Sequence, residues 1–107
     1  MKSKKTVEAK ENWRVVSING EAIKDKQDLF DIFSKKLNFP SYFGNNWDAF
    51  WDCITDLEWL GDVQVIIKIR KIECIKDKIT RKNLVELLAD ASRYWKKRGK
   101  SFKILEC

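Results

Sequence analysis

Histidine does not occur in this chain of 107 residues, which removes the commonest general base, metal ligand and physiological-pH switch. Enzyme chemistry therefore starts at a disadvantage. Cysteine is sparse too. Cys53, Cys74 and Cys107 are odd in number, widely spaced and free of any CxxC pair, so neither a disulfide framework nor a zinc site is expected, and all three read as free thiols. No stretch approaches the roughly 20 apolar residues that span a bilayer, and the charged segment Met1 to Trp13 lacks the apolar centre of a secretory signal. A cytoplasmic protein is expected. Repeats and low-complexity tracts are also missing.

What the chain does have is apolar and aromatic bulk. Apolar residues make up 44% of it, including six Phe, five Trp and two Tyr, so a charged fraction of 36% does not imply disorder. The length suits one hydrophobic core and is too short for two. Residues 1–12 carry Lys2, Lys4, Lys5, Lys10, Glu8 and Glu11 with almost no large apolar side chain, and read as a solvated extension. A single domain is expected over 13–107.

Trp13, Val15, Val16 and Ile18 form a β-branched and aromatic run that predicts a first strand, stopped by Asn19-Gly20, two residues that tolerate positive φ. Leu29, Phe30, Ile32, Phe33 and Leu37 recur at helical spacing after Asp25, a capping residue, which predicts a helix ending before Pro40. Asn38 to Asn45 reads as a surface loop, and a second helix is expected from Asn45 or Asn46 to about Leu57. Val63, Val65, Ile66, Ile67 and Ile69 predict a central strand covered on both faces. After an ambiguous stretch from Lys71 to Lys78, Thr80 can cap a long helix bearing Leu84, Leu87, Leu88, Ala91 and Trp95 and stopping at Gly99. Phe102, Ile104 and Leu105 supply a last strand. This order implies right-handed crossovers, and so an α/β fold with a small three-stranded, mainly parallel sheet and about four helices.

The formal charge of +6 is unevenly placed. From Ser41 to Asp62 there is no Lys or Arg, while Asp48, Asp52, Asp56, Glu58 and Asp62 are all negative; from Ser92 onward, Arg93, Lys96, Lys97, Arg98, Lys100 and Lys103 face the single Glu106. On the second helix, Trp47, Phe50, Trp51 and Ile54 make a core-facing stripe. Asp48, Asp52 and Asp56 line the other side, where like charges repel by roughly 0.2–0.5 kcal/mol per adjacent pair. Asp48 is favoured by the helix dipole and Asp56 opposed by it, so local stability does not account for the row. Two readings stay open: a solvated helix face, or a carboxylate array that presents a basic partner with the charge of a phosphodiester.

The stretch Phe39-Pro40-Ser41-Tyr42-Phe43-Gly44-Asn45-Asn46-Trp47-Asp48-Ala49-Phe50-Trp51-Asp52-Cys53 resembles the signature of the barstar family, and Ile18-Asn19-Gly20-Glu21 resembles the end of that family's first strand. Members are intracellular inhibitors that plug the active site of a guanyl-specific ribonuclease with the second helix and the loop before it. The resemblance implies that Asp52 is the central carboxylate, that Asp48 supports it, and that Tyr42, Gly44 and Asn46 lie against the ribonuclease. Trp51 would pack at the interface edge. The partner implied is a ribonuclease of extracellular or toxin type and the protein an immunity protein, monomeric, with no catalytic residue, cofactor, metal or membrane partner. Departures from the family pattern are the positive net charge, which opposes steering toward a basic enzyme, a large Trp47, the tail before Trp13, and the acidic contact of the last helix. At that contact this chain has Tyr94, with Asp90 one turn earlier.

The rival reading is a small basic RNA-binding domain, in which Lys96, Lys97, Arg98, Lys100 and Lys103 meet phosphates while Trp95 or Phe102 stacks on bases. The plainer explanation of that cluster is that cations at a helix end favour the dipole. Cys53 beside the core stripe reads as a small buried residue rather than a nucleophile, and the aspartate row lacks the ligand alternation of a calcium loop. Of the tryptophans, Trp51, and more weakly Trp59, are interface candidates; Trp13, Trp47 and Trp95 read as core or partly covered.

Overall fold

The computed structural model describes residues 13–41, 43–61 and 63–106. The expected N-terminal extension, Tyr42, Asp62 and Cys107 lie outside the described residues. Three strands, β1 (Trp13–Asn19), β2 (Gln64–Arg70) and β3 (Phe102–Glu106), pair in parallel in the order β1-β2-β3, with Val16 opposite Ile67 and Ile67 opposite Ile104. Three helices, α1 (Lys26–Lys36), α2 (Trp47–Ile54) and α3 (Lys78–Lys97), complete the α/β architecture.

About four helices are expected from the sequence, and the described residues form three. The remaining candidates are single 3₁₀ turns, Gly20–Ala22, Glu58–Leu60 and Ile72–Cys74. Leu57 (φ 52°) and Lys71 (φ 53°), both left-handed, introduce the second and third, and three residues are too few to offset the cost of helix nucleation.

Local chemistry sets the boundaries. Asp25 caps α1 by accepting the Asp28 amide, as its position suggests. The cap of α3 is Asp77 rather than Thr80. Its carboxylate accepts the Ile79 and Thr80 amides and the Thr80 hydroxyl, which leaves Thr80 inside the helix and buried. These bonds, that of the Thr80 hydroxyl above all, hold the Asp77 carboxyl below its ordinary range. Gly99, at φ 77°, ends α3 as expected. Gly20 serves for a different reason than its turn propensity. It has no positive φ, but a Cβ there would stand 2.1 Å from the Lys71 carbonyl oxygen, so the turns after β1 and β2 can touch only at a glycine.

Burial alternates along the strands. Val16, Ile18, Val65, Ile67, Ile69 and Phe102 point into one core with Leu29, Phe30, Phe33, Phe50, Ile54, Leu84 and Leu88. The expectation that β2 is covered on both faces is not met: Ile66 is only half-buried and Lys68 is exposed. Right-handed crossovers that step twice in the same direction put both connections on the same side, and among the described residues no helix covers the other face of the sheet.

Candidate protein-binding site

The loop before α2 is shaped by its own backbone. Phe43 donates its amide to the Pro40 carbonyl at 3.0 Å, and Asn38 (φ 55°) and Asn45 (φ 53°) take left-handed conformations that asparagine tolerates. Phe39 and Phe43 meet edge to face at 5.1 Å and anchor the loop on Phe30 and Phe50. Asn46 is the N-cap of α2. Its side-chain oxygen accepts the Ala49 amide at 2.8 Å while its Nδ2 donates to the Gly44 carbonyl at 3.3 Å. A Cβ on Gly44 would approach that same nitrogen to 3.3 Å, so Gly44 and Asn46 are fitted to each other as well as exposed.

Within α2, Phe50 and Ile54 are fully buried, and Cys53 is 3% exposed. Burial first, and then the neighbouring Asp52 and Asp56 carboxylates, push the Cys53 thiol up, which suits a packing residue and not a nucleophile. Asp48 and Asp52 are exposed on the other side of the helix, and among the described residues neither forms an ion pair. An i, i+4 separation sets their Cβ atoms about 5–6 Å apart on one face.

The helix is shorter than its apolar pattern suggests. It ends at Ile54, capped by Thr55, whose amide and hydroxyl both donate to the Trp51 carbonyl. Asp56 consequently leaves the row. Its carboxylate accepts the Glu58 amide at 3.3 Å and starts the following turn.

Two indoles fix the surroundings of α2 by binding carbonyls at helix ends. Trp95 Nε1 donates to the Ile54 carbonyl at 2.9 Å, tying the last turn of α2 to α3, and Trp59 Nε1 donates to the Leu37 carbonyl at 2.9 Å behind α1. Trp59 is thus a structural strap, which removes it as an interface anchor. Trp51 is half-buried and meets Tyr94 edge to face at 6.0 Å; Tyr94 in turn stacks against Trp95 and lies under the Arg98 guanidinium.

Between α2 and α3 runs an open groove of about 390 Å³. Trp47, Asp48 and Trp51 line it from α2; Asn83, Glu86, Leu87 and Asp90 line it from α3. Three carboxylates and no lysine or arginine surround it. Asp90 is held by Arg93 one turn on, and Tyr94 contributes a ring where the family resemblance implies an acid. Asp52 lies one turn beyond Asp48, outside this lining.

The structure therefore exposes Asp48 and Asp52 on one helical face, with Trp51 half-buried beside Asp48 in the groove and with Gly44 and Asn46 in the loop leading to it. Sequence reasoning missed Asn83 and Glu86. The signal was present: positions 83, 86, 87, 90 and 94 follow the three- and four-residue spacing of one helical stripe, but nothing local says which helix that stripe will face. The basic cluster fares differently. Phe102 is 4% exposed and offers no stacking face, while Trp95 is half-buried with Lys100 4.9 Å from the centre of its ring. Among the described residues no three His, Cys, Asp or Glu side chains converge as metal ligands, and no helix is long and apolar enough to cross a membrane.

A three-stranded parallel sheet with its described helices on one side is a small α/β fold. The family model described as Barstar (barnase inhibitor) matches residues 13–106, and the chain belongs to the barstar family. It is also similar to YrdF of Bacillus subtilis (strain 168), named as a candidate ribonuclease inhibitor: the two are 35% identical over 60 residues, 56% of this chain and 63% of that protein. The chain thus spans less than two thirds of the length of that relative.

Proposed function

We propose that this protein binds a ribonuclease of secreted or toxin type and occludes its basic active site with α2 and the preceding loop, as a monomeric cytoplasmic immunity protein. The observation that carries this reading is the pair of exposed carboxylates, Asp48 and Asp52, with no ion pair of their own among the described residues. Like charges one turn apart add nothing to folding, and their attraction is available to a cationic pocket. Asp52 is the central contact, Asp48 flanks it, Gly44 and Asn46 shape the adjoining surface, and Tyr42 is a further contact on the family resemblance alone.

Trp51 and Trp47 give the groove apolar walls, and Glu86 supplies from α3 the acidic contact that Tyr94 does not. A guanidinium of the partner fits such a groove, flat against an indole with carboxylates at its edge. The net charge of +6 slows long-range encounter with a basic enzyme, but beyond about 8 Å physiological salt screens it, and the local acidic face governs docking.

The family name and the name of the Bacillus relative both describe inhibitors, which supports the reading. The test is capture of the cognate ribonuclease from the native cell, followed by RNA cleavage assays with the wild-type protein and with Asp52→Ala. Inhibition by the wild type and its loss in the variant are expected. Equal inhibition by both would remove α2 as the plug.

A further inference from the structure

The face of the sheet turned away from the helices has a chemistry of its own. Among the described residues no helix covers it, and parallel sheets are rarely left so. Trp13, Val15, Ile66 and Leu105 project from it, with Val15 50% and Leu105 44% exposed. Register sets Val15, Ile66 and Lys103 side by side across the three strands, and places Lys68 next to Leu105. Lys103 Nζ lies 5.9 Å from the centre of the Trp13 ring. No outward-pointing position of the three strands carries a carboxylate.

We propose that this face is a second binding surface, for a short segment of single-stranded RNA. Charge selects among the possible occupants. A second copy docking face to face would oppose Lys68 and Lys103 with their own counterparts. The chain before Trp13 has four lysines, Lys2, Lys4, Lys5 and Lys10, against Glu8 and Glu11, a positive balance that does not complement this face. A polyanion is attracted. Single-stranded RNA also brings flat apolar faces, and the sheet offers an indole to stack on and an aliphatic floor between its cations. In the bound state a base displaces Lys103 from the Trp13 ring, and the freed ammonium meets a phosphate. A duplex hides its bases and cannot use the indole. The surface is separate from α2, so it stands whether or not the inhibitor reading does, and it shares Lys103 with the basic cluster that follows α3.

The test titrates the full-length protein into a fluorescein-labelled oligouridylate of about eight nucleotides, within the usual site size of a single-strand binder. Anisotropy is followed from about 50 to 200 mM salt. With two or three phosphates contacted at about 0.7 per contact, log affinity should fall against log salt with a slope between about −1.4 and −2.1. Changing Lys68→Glu and Lys103→Glu together should weaken binding more than tenfold and flatten that slope. Trp13→Ala should weaken binding about tenfold and leave the slope unchanged, because stacking is not ionic. Asp52→Ala and the pair Lys96→Glu and Lys97→Glu should bind like wild type, with circular dichroism confirming that every variant is folded. Any of four results overturns the proposal: no binding at low salt, greater loss in the Lys96/Lys97 variant than in the Lys68/Lys103 variant, equal affinity for duplex RNA or phosphatidylserine vesicles, or a wild-type dimer that Leu105→Glu disperses.

Discussion

The acidic turn-and-a-half of α2 and the basic end of α3 carry opposite charges and are also treated oppositely by the fold. At the end of α3, Arg93 pairs with Asp90, Arg98 lies 3.8 Å from the centre of the Tyr94 ring, and Lys100 sits 4.9 Å from the centre of the Trp95 ring. Lys96 and Lys97 occupy the last turn, where the helix dipole favours a cation. The fold itself accounts for these cations. On α2 the dipole favours Asp48 alone, and neither Asp48 nor Asp52 has an ion-pair partner among the described residues. A charge that the chain satisfies internally is a poor candidate for recognition. One that the chain leaves unpaired, against its own local repulsion, is a good one.

The largest expected effect tests that contrast most directly. Asp52→Ala should cost about 2–5 kcal/mol of binding to the ribonuclease while the thermal midpoint stays within a degree or so, read by calorimetry of the complex and of the free protein. A midpoint that falls with the affinity would show that Asp52 belongs to the fold, and the contrast would collapse.

Next in size is Trp95→Phe, which removes the indole donor from the Ile54 carbonyl and should lower unfolding free energy by about 0.5–1.5 kcal/mol in urea. Because this bond holds the end of α2, hydrogen exchange should quicken in α2 before it does in β2. Arg98→Gln removes the cation over Tyr94 and should cost about 0.5–1 kcal/mol of stability with ribonuclease binding unchanged. Weakened binding would mean that the basic end also faces the partner.

The smallest effect concerns Cys53. A thiol whose folded pKa is raised contributes stability that is present below its unfolded value and lost as pH rises through the folded one. Stability should therefore decline on the alkaline side of the ordinary thiol range, and Cys53→Ala should remove that decline. At neutral pH, Cys53 should react with a thiol reagent far more slowly than Cys74, which is only half-buried.

Much of the fold was legible in the chain because its signals are local. The apolar spacing from Leu29 to Leu37, the Asp25 and Asn46 caps, and the Gly99 stop each act within one or two turns, and each appears in the structure where the pattern placed it. Errors arose where a local signal had a closer competitor. Thr80 resembles a cap, but Asp77 three residues earlier accepts the Thr80 amide and the Thr80 hydroxyl and starts the helix before it. The apolar rhythm of α2 continues to Leu57, but Thr55 turns its hydroxyl back on the Trp51 carbonyl and Leu57 adopts a left-handed backbone. Within the candidate site, Asp48, Asp52 and Trp51 could be named from spacing and resemblance, whereas Asn83 and Glu86 could not, since they join the groove only through the packing of α3 on α2.

The sequence by itself determined which segments are strands and helices, where the negative charge concentrates and which family the chain resembles, because periodicity, capping and composition are properties of neighbouring residues. Only the tertiary structure decided that Trp95 and Trp59 close helix ends 41 and 22 residues away. It also decided that α3 lends Glu86 and Asp90 to the groove, and that one face of the sheet has no helix over it among the described residues. Each depends on how crossovers turn and how faces meet, and contacts between distant segments leave no period in the chain to be read.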